Sequence, residues 1–157
     1  MFLPAEITAS LPSTLRQRIQ MGFDVAQVSS VAHSLAEFGD RYLRRLFTPA
    51  EIAYAFQGVG LQAERLAARF AAKEAVMKAL QLSEAGVDWR DIEVVKHPDG
   101  SCGVALHGEA ARCAQRAGAE QIVLSLSHDG DCAGAVAVAV LASPRPEIPL
   151  STSHENR

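Results

Sequence analysis

Apolar and polar residues alternate at the start of the readable part of the chain. The odd positions from 15 to 25 hold Leu15, Gln17, Ile19, Met21, Phe23 and Val25, and the even ones Arg16, Arg18, Gln20, Gly22 and Asp24. A period of two predicts a half-buried strand, with Asp24 on its polar face near the end. Positions 30–38 read as a short helix, with Val31, Leu35 and Phe38 on one face. Thr48-Pro49-Ala50-Glu51 is a helix start, because Thr48 can cap, Pro49 suits the first helical position and Glu51 completes a capping box. That helix is expected to end near Gly58.

Residues 62–81, rich in Ala, Glu, Arg, Lys and Leu, carry the strongest helical signal. Two strands, 91–97 and 103–106, flank the turn Pro98-Asp99-Gly100. A helix over 108–117 stops at Gly118. Strands 121–127 and 133–141 enclose the hairpin loop His128-Asp129-Gly130-Asp131-Cys132. The order of elements predicts an α+β fold with an antiparallel sheet. Residues 1–14, interrupted by Pro4 and Pro12, are expected to be a flexible arm. Residues 15–142 form the domain, and 143–157, with Pro144, Pro146 and Pro149, a disordered polar tail.

The long helix carries charge where a core helix normally has none. With 3.6 residues per turn, Leu66, Phe70, Met77 and Leu80 share a stripe. Lys73 lies inside it, Glu74 at its edge, and Lys78 one turn beyond Glu74. Charges so placed need partners. In one reading Lys73 snorkels to solvent and Glu74–Lys78 is an ordinary i, i+4 pair. In the other, Glu74 meets a second carboxylate across the fold, and Asp24 is the obvious candidate. Two carboxylates that leave room for water and phosphate oxygens suit Mg²⁺. Arg69, Lys73 and Lys78 would then hold the phosphates.

Composition narrows the class. The 157 residues suit one domain, and 48% apolar with 21% charged residues describes a soluble globular protein. No apolar run reaches the length of a membrane span, and the start of the chain lacks a secretory pattern, so the cytoplasm is the expected compartment. Cys102, Cys113 and Cys132 form no CxxC pair, which argues against a disulfide framework or a zinc site. A net charge of −3 argues against a nucleic-acid partner. Arg41, Arg44 and Arg45 nonetheless cluster, followed by Arg65, Arg69, Lys73 and Lys78, enough for a local anion site.

A second candidate region is the last loop. Leu124, Leu126 and His128 alternate on one face, and Ser125 and Ser127 take the other. Strand ends beside glycine turns often line sites. Asp129 could orient the His128 imidazole or act as a base itself. His33, His97, His107 and His154 have no comparable setting. A Ser/His/Asp hydrolase is excluded, since there is no GxSxG elbow and both serines adjoin the histidine on its own strand.

Together these residues resemble the holo-acyl-carrier-protein synthase family of 4′-phosphopantetheinyl transferases. Gly22-Phe23-Asp24-Val25 is similar to its G-x-D-I/V strand end. Arg69-Phe70-Ala71-Ala72-Lys73-Glu74-Ala75 with Lys78-Ala79-Leu80 is similar to its RFAAKEA-x-x-KAL helix, and Leu124-Ser125-Leu126-Ser127-His128 to its V/L-S-I/L-S-H strand. Phe47-Thr48-Pro49-Ala50-Glu51 matches a weaker F-T-x-x-E element. The resemblance implies the transferase fold, a small antiparallel sheet packed with a long central helix, in a homotrimer with sites between subunits. It implies Mg²⁺ on Asp24 and Glu74. Coenzyme A, the co-substrate, would lie near Arg69, Lys73 and Lys78, with Ser127 and His128 as further contacts. The serine of an apo acyl (or peptidyl) carrier protein would attack, and 3′,5′-ADP would leave.

The attacking serine needs a base, either Glu74 through a metal-bound water, with Lys78 near enough to assist, or His128–Asp129 directly; the residues alone do not choose between them. The family pattern after the aspartate, D-I-V-E-I-x-R, becomes Asp24-Val25-Ala26-Gln27-Val28-Ser29-Ser30 here. Gln27 and Ser30 replace the glutamate and the carrier-facing arginine, so Arg41, Arg44 and Arg45 are expected to take over the carrier contact. A carrier-binding scaffold without activity is the competing reading. A nucleotide hydrolase would need a phosphate-cradling glycine loop or a denser carboxylate set.

Overall fold

An alanine-rich helix laid against an alanine-lined sheet organises the molecule. The computed structural model describes residues 18–142. The expected arm and tail, and the first positions of the expected first strand, lie outside them. In order the elements are β1 (Ile19–Gln27), α1 (Val28–Phe38), α2 (Asp40–Leu46), α3 (Pro49–Ala55), α4 (Gln62–Ala79), a 3₁₀ turn (Trp89–Asp91), β2 (Ile92–Lys96), β3 (Cys102–Leu106), α5 (Gly108–Arg116), β4 (Ala119–Asp129) and β5 (Cys132–Leu141). The larger sheet has the order β1-β5-β4, all antiparallel, and β2-β3 is a separate hairpin. The α+β class is as expected. Helix α2 was not foreseen. Gly39, at φ 50°, ends α1 and starts α2 at once, so one loop residue separates two helices.

The alternation in β1 has the predicted period but the opposite facing. Gly22 and Ala26 are buried and Asp24 is half-buried, whereas Phe23 and Val25 are exposed. The polar side of the strand is therefore the side that meets α4. The reason is steric. A Cβ on Gly22 would sit 2.0 Å from the Ala75 carbonyl oxygen and 2.7 Å from the Ala79 nitrogen, so the strand can lie this close to the helix only without a side chain there. The neighbouring strand makes the same accommodation, with Ala133, Ala135, Ala137 and Ala139 all buried against the helix. The apolar side of β1, with Val136 and Val138 beside it in the sheet, is left facing outward.

Helix α4 is enclosed by the sheet on one side and by α1, α3 and β2 on the other, so far more than one stripe is buried. Lys73 is 0% exposed, and so is its partner Glu51, at 2.8 Å. Lys73 neither snorkels to solvent nor faces it. Glu51 completes the Thr48 capping box as expected, and also accepts from the Val94 backbone N–H. One carboxylate thus joins the start of α3, the middle of α4 and β2.

Candidate active site

Asp24 and Glu74 face each other's elements where β1 crosses α4. Close packing at Gly22 places Asp24, two residues on, beside the helix turn that carries Glu74 and Lys78. Lys78 Nζ donates to Asp24 Oδ1 at 2.6 Å and to the Phe23 carbonyl at 3.3 Å. The expected i, i+4 ion pair between Glu74 and Lys78 is not formed; the lysine reaches across to the strand instead. Glu74 has no ion-pair partner within 4 Å among the described residues. Burial pushes the Glu74 carboxyl above its usual range, the Asp24 charge adds to that, and Lys78 only partly opposes it. Two carboxylates with one ammonium, bound to Asp24, leave an excess of negative charge of the kind that a hard divalent cation would relieve. Among the described residues no third His, Cys, Asp or Glu joins them, so a cation here would complete its shell with water or phosphate oxygens.

The expectation that Lys73 holds a phosphate is corrected. An ammonium has three donors. Those of Lys73 go to Glu51 and to the Trp89 and Ile92 carbonyls, leaving none. Lys78 has spent two and keeps one. Arg69 is 2% exposed, with its guanidinium 4.0 Å from the Tyr54 ring centre and one donor to the Arg65 carbonyl. Its Nε is buried without a hydrogen-bond partner among the described residues. As placed, Arg69 stiffens the α3–α4 corner and does not reach the surface beside Glu74.

His128, Asp129 and Ser127 line a cleft of about 340 Å³ with Phe23, Ser125 and Cys132, at the β4–β5 hairpin end. Within one chain this cleft is not brought to the carboxylate pair. Asp24 lies across from Ala135 and Leu126, and His128 two residues further along, which puts the two Cα atoms about 12 Å apart by strand spacing. Asp129 does not orient His128, since successive strand residues point to opposite faces. Neither side chain has a hydrogen-bond partner among the described residues. The model of the 4′-phosphopantetheinyl transferase superfamily matches residues 20–139, which contain both regions.

The chain belongs to that superfamily.

A holo-acyl-carrier-protein synthase from Koribacter versatilis is 47% identical over 108 residues, 68% of this chain and 86% of the relative. One from Desulforudis audaxviator is 46% identical over 120 residues, covering 76% and 91% of the two chains. Among solved structures, the complex of the Chronobacterium ammoniagenes enzyme with coenzyme A superposes with a TM-score of 0.71 at 30% identity, over 79% of this chain and 98% of that one. The transferase architecture depends on residues that periodicity passed over. Glu51 was noticed only as a helix cap. Nothing local marks Gly22 as the contact that sets the strand–helix distance, or Tyr54 as the platform for Arg69. The signal for Glu51 was its counterpart, a lysine inside an apolar stripe, which demands a buried carboxylate somewhere.

Proposed function

We propose that this chain transfers the 4′-phosphopantetheine group of coenzyme A to a serine of an apo acyl or peptidyl carrier protein, releasing 3′,5′-ADP, with Asp24 and Glu74 as ligands of Mg²⁺. The observation that carries this is the carboxylate pair at the β1–α4 crossing, where burial and the Asp24 charge hold the Glu74 carboxyl above its usual range and no ion-pair partner lies within 4 Å among the described residues. Phosphoryl-type transfer rests on positioning and charge neutralisation. When bound, Mg²⁺ would supply that neutralisation at the pyrophosphate. Lys78, anchored on Asp24 and the Phe23 carbonyl, offers its remaining donor to a phosphate oxygen. Glu74, raised toward neutrality, and His128, open at the hairpin, are the two candidate bases. A pH–rate limb that survives in His128→Ala and Asp129→Ala assigns the base to Glu74.

A homotrimer accounts for the separation of the two regions. The outer sheet face exposes Phe23, Val25 and Val123 at 41%, 48% and 50%, an apolar surface that a second copy can cover. In such a trimer the hairpin of one copy would serve the Asp24–Glu74 pair of another. The carrier contact is proposed for α2, where Arg41, Arg44 and Arg45 rim a groove of about 740 Å³ floored by Phe38, Tyr42 and Leu46. Helix α1 offers a carrier little positive charge. Ser30 is engaged with Gln27, at 3.2 Å, and His33 with Glu37. No helix of the described residues is long and apolar enough to cross a membrane, and the reading keeps the cytoplasmic location. Incubation with coenzyme A, Mg²⁺ and several apo-carriers, followed by intact mass measurement, tests the activity. A carrier that gains one phosphopantetheine supports it. No gain on any carrier, with coenzyme A binding intact, leaves the scaffold reading.

A further inference from the structure

Helix α1 starts directly from β1 and has no cap of its own. The Gln27 side chain, at its N-cap, bonds the Ser30 hydroxyl but takes no backbone N–H of the helix, and no acidic residue lies in its first turn. Its free N–H groups are instead served from 102 residues away. The Val28 N–H donates to the Asp131 carbonyl at 3.1 Å, the Ser29 N–H to Asp131 Oδ1 at 2.6 Å, and the Ser29 hydroxyl to Asp131 Oδ2 at 2.8 Å. A carboxylate here also faces the positive end of the helix, and the bonds to Ser29 hold Asp131 below the usual carboxylate range. Asp131 sits in the two-residue turn between β4 and β5. Gly130, at φ 55°, takes the first turn position and Asp131 the second, the order a tight II′ hairpin favours. The residues on its far side are Asp129 and His128.

We propose that Asp131 is a positioning residue that fixes the His128–Asp129 strand end against the β1–α1 junction carrying Asp24. The chain path supports this. The segment from Asp24 runs through Gln27 into Ser29, and the Asp131 clamp closes it onto the hairpin that holds His128. Among the described residues His128 and Asp129 have no side-chain bonds to fix them, so their placement rests on the backbone of the turn. The β1–β5 ladder ends at the Gln27–Cys132 pair; beyond it the turn is tied to the helix by the Asp131 carbonyl, which takes the Val28 N–H, and by the Asp131 carboxylate, which takes both Ser29 donors. The role in turnover rests on the transferase reading above; the geometry of the clamp does not.

The test compares Asp131→Ala, Asp131→Asn and Ser29→Ala in the full chain, with Val31→Ala as a control that loosens the same helix from its buried face. Asparagine keeps an acceptor for the Ser29 N–H and can donate to its hydroxyl. Two readouts are taken: steady-state transfer, and the ring resonance of His128 by NMR. We expect Asp131→Ala to lower kcat about tenfold with the KM for coenzyme A nearly unchanged, the scale of a small misplacement of a catalytic group. It should also shift the His128 resonance. Asp131→Asn restores both, Ser29→Ala falls between, and Val31→Ala lowers the melting temperature alone. If Asp131→Ala instead behaves like Val31→Ala, leaving kcat and the His128 resonance as in the wild type, the proposal is wrong. Should Asp131→Ala fail to fold, Ser29→Ala decides by the same resonance. A wild-type protein that transfers to no carrier sinks the activity reading, and the His128 resonance still decides the positioning.

Discussion

Two lysines of α4, on different faces of the helix, make the same kind of bond and do opposite things. Lys73 meets Glu51 with both side chains 0% exposed and every donor used. Lys78 meets Asp24 with the two side chains 32% and 19% exposed, one donor spare, and Glu74 beside them without an ion-pair partner among the described residues. The first pair is closed. It has no capacity for a ligand and serves to hold α3, α4 and β2 together. The second is open and out of balance, which is what a binding site for a cation and a phosphate requires. Motif membership does not separate them, since Lys73, Glu74 and Lys78 stand in one short stretch. Saturation of hydrogen bonds and burial do.

The sharpest way to break this contrast is to cut each pair on one side. Glu51→Ala leaves the Lys73 ammonium buried and unpaired, and the expected loss is about 3–5 kcal/mol of stability, read by denaturant unfolding. A loss below about 1 kcal/mol, the range of surface pairs, would show that the pair is not closed. Asp24→Asn and Glu74→Gln should do the reverse. Each should leave folding nearly intact and lower transfer by roughly 10²–10³-fold, the scale of removing one preorganised electrostatic group. A smaller effect is expected at the carrier. Charge reversal of Arg44 or Arg45 should raise the KM for the carrier several-fold and leave that for coenzyme A in place, because these side chains rim the α2 groove and lie away from Glu74.

The smallest effect is one of pH. The folded Glu74 carboxyl stands above its unfolded value. Ionising it therefore costs the fold stability, none below the unfolded carboxylate range and all of it above the raised folded value. Glu74→Gln should melt slightly higher than the metal-free wild type above that window and merge with it at lower pH. A variant that melts lower at neutral pH would mean that Glu74 has a favourable partner after all.

Most of the fold was legible in the sequence, and the failures share a cause. Among the described residues, every strand and four of the five α-helices follow from local period and cap chemistry, which depend on neighbours along the chain. Facing does not. The alternation in β1 gives its period but cannot say which side the helix takes, because that is set by Gly22 meeting Ala75 and Ala79 from another element. Lys73 was misassigned for the same reason: its three acceptors are Glu51, Trp89 and Ile92, all distant in sequence. Asp24, Glu74 and Lys78 do lie together, and the sequence hinted at that proximity because a charge at the edge of a core stripe and a polar strand end each advertise an unmet need. The Asp131 clamp was hidden, since an aspartate in a turn has a sufficient local explanation.

The central claim is that Asp24 and Glu74 form one cation site. Calorimetric titration of the full-length protein with Mn²⁺ in the presence of coenzyme A tests it most directly. The account predicts one binding event per chain, lost in both Asp24→Asn and Glu74→Gln and kept in Glu51→Gln if that variant folds. Undiminished binding in Glu74→Gln would contradict it.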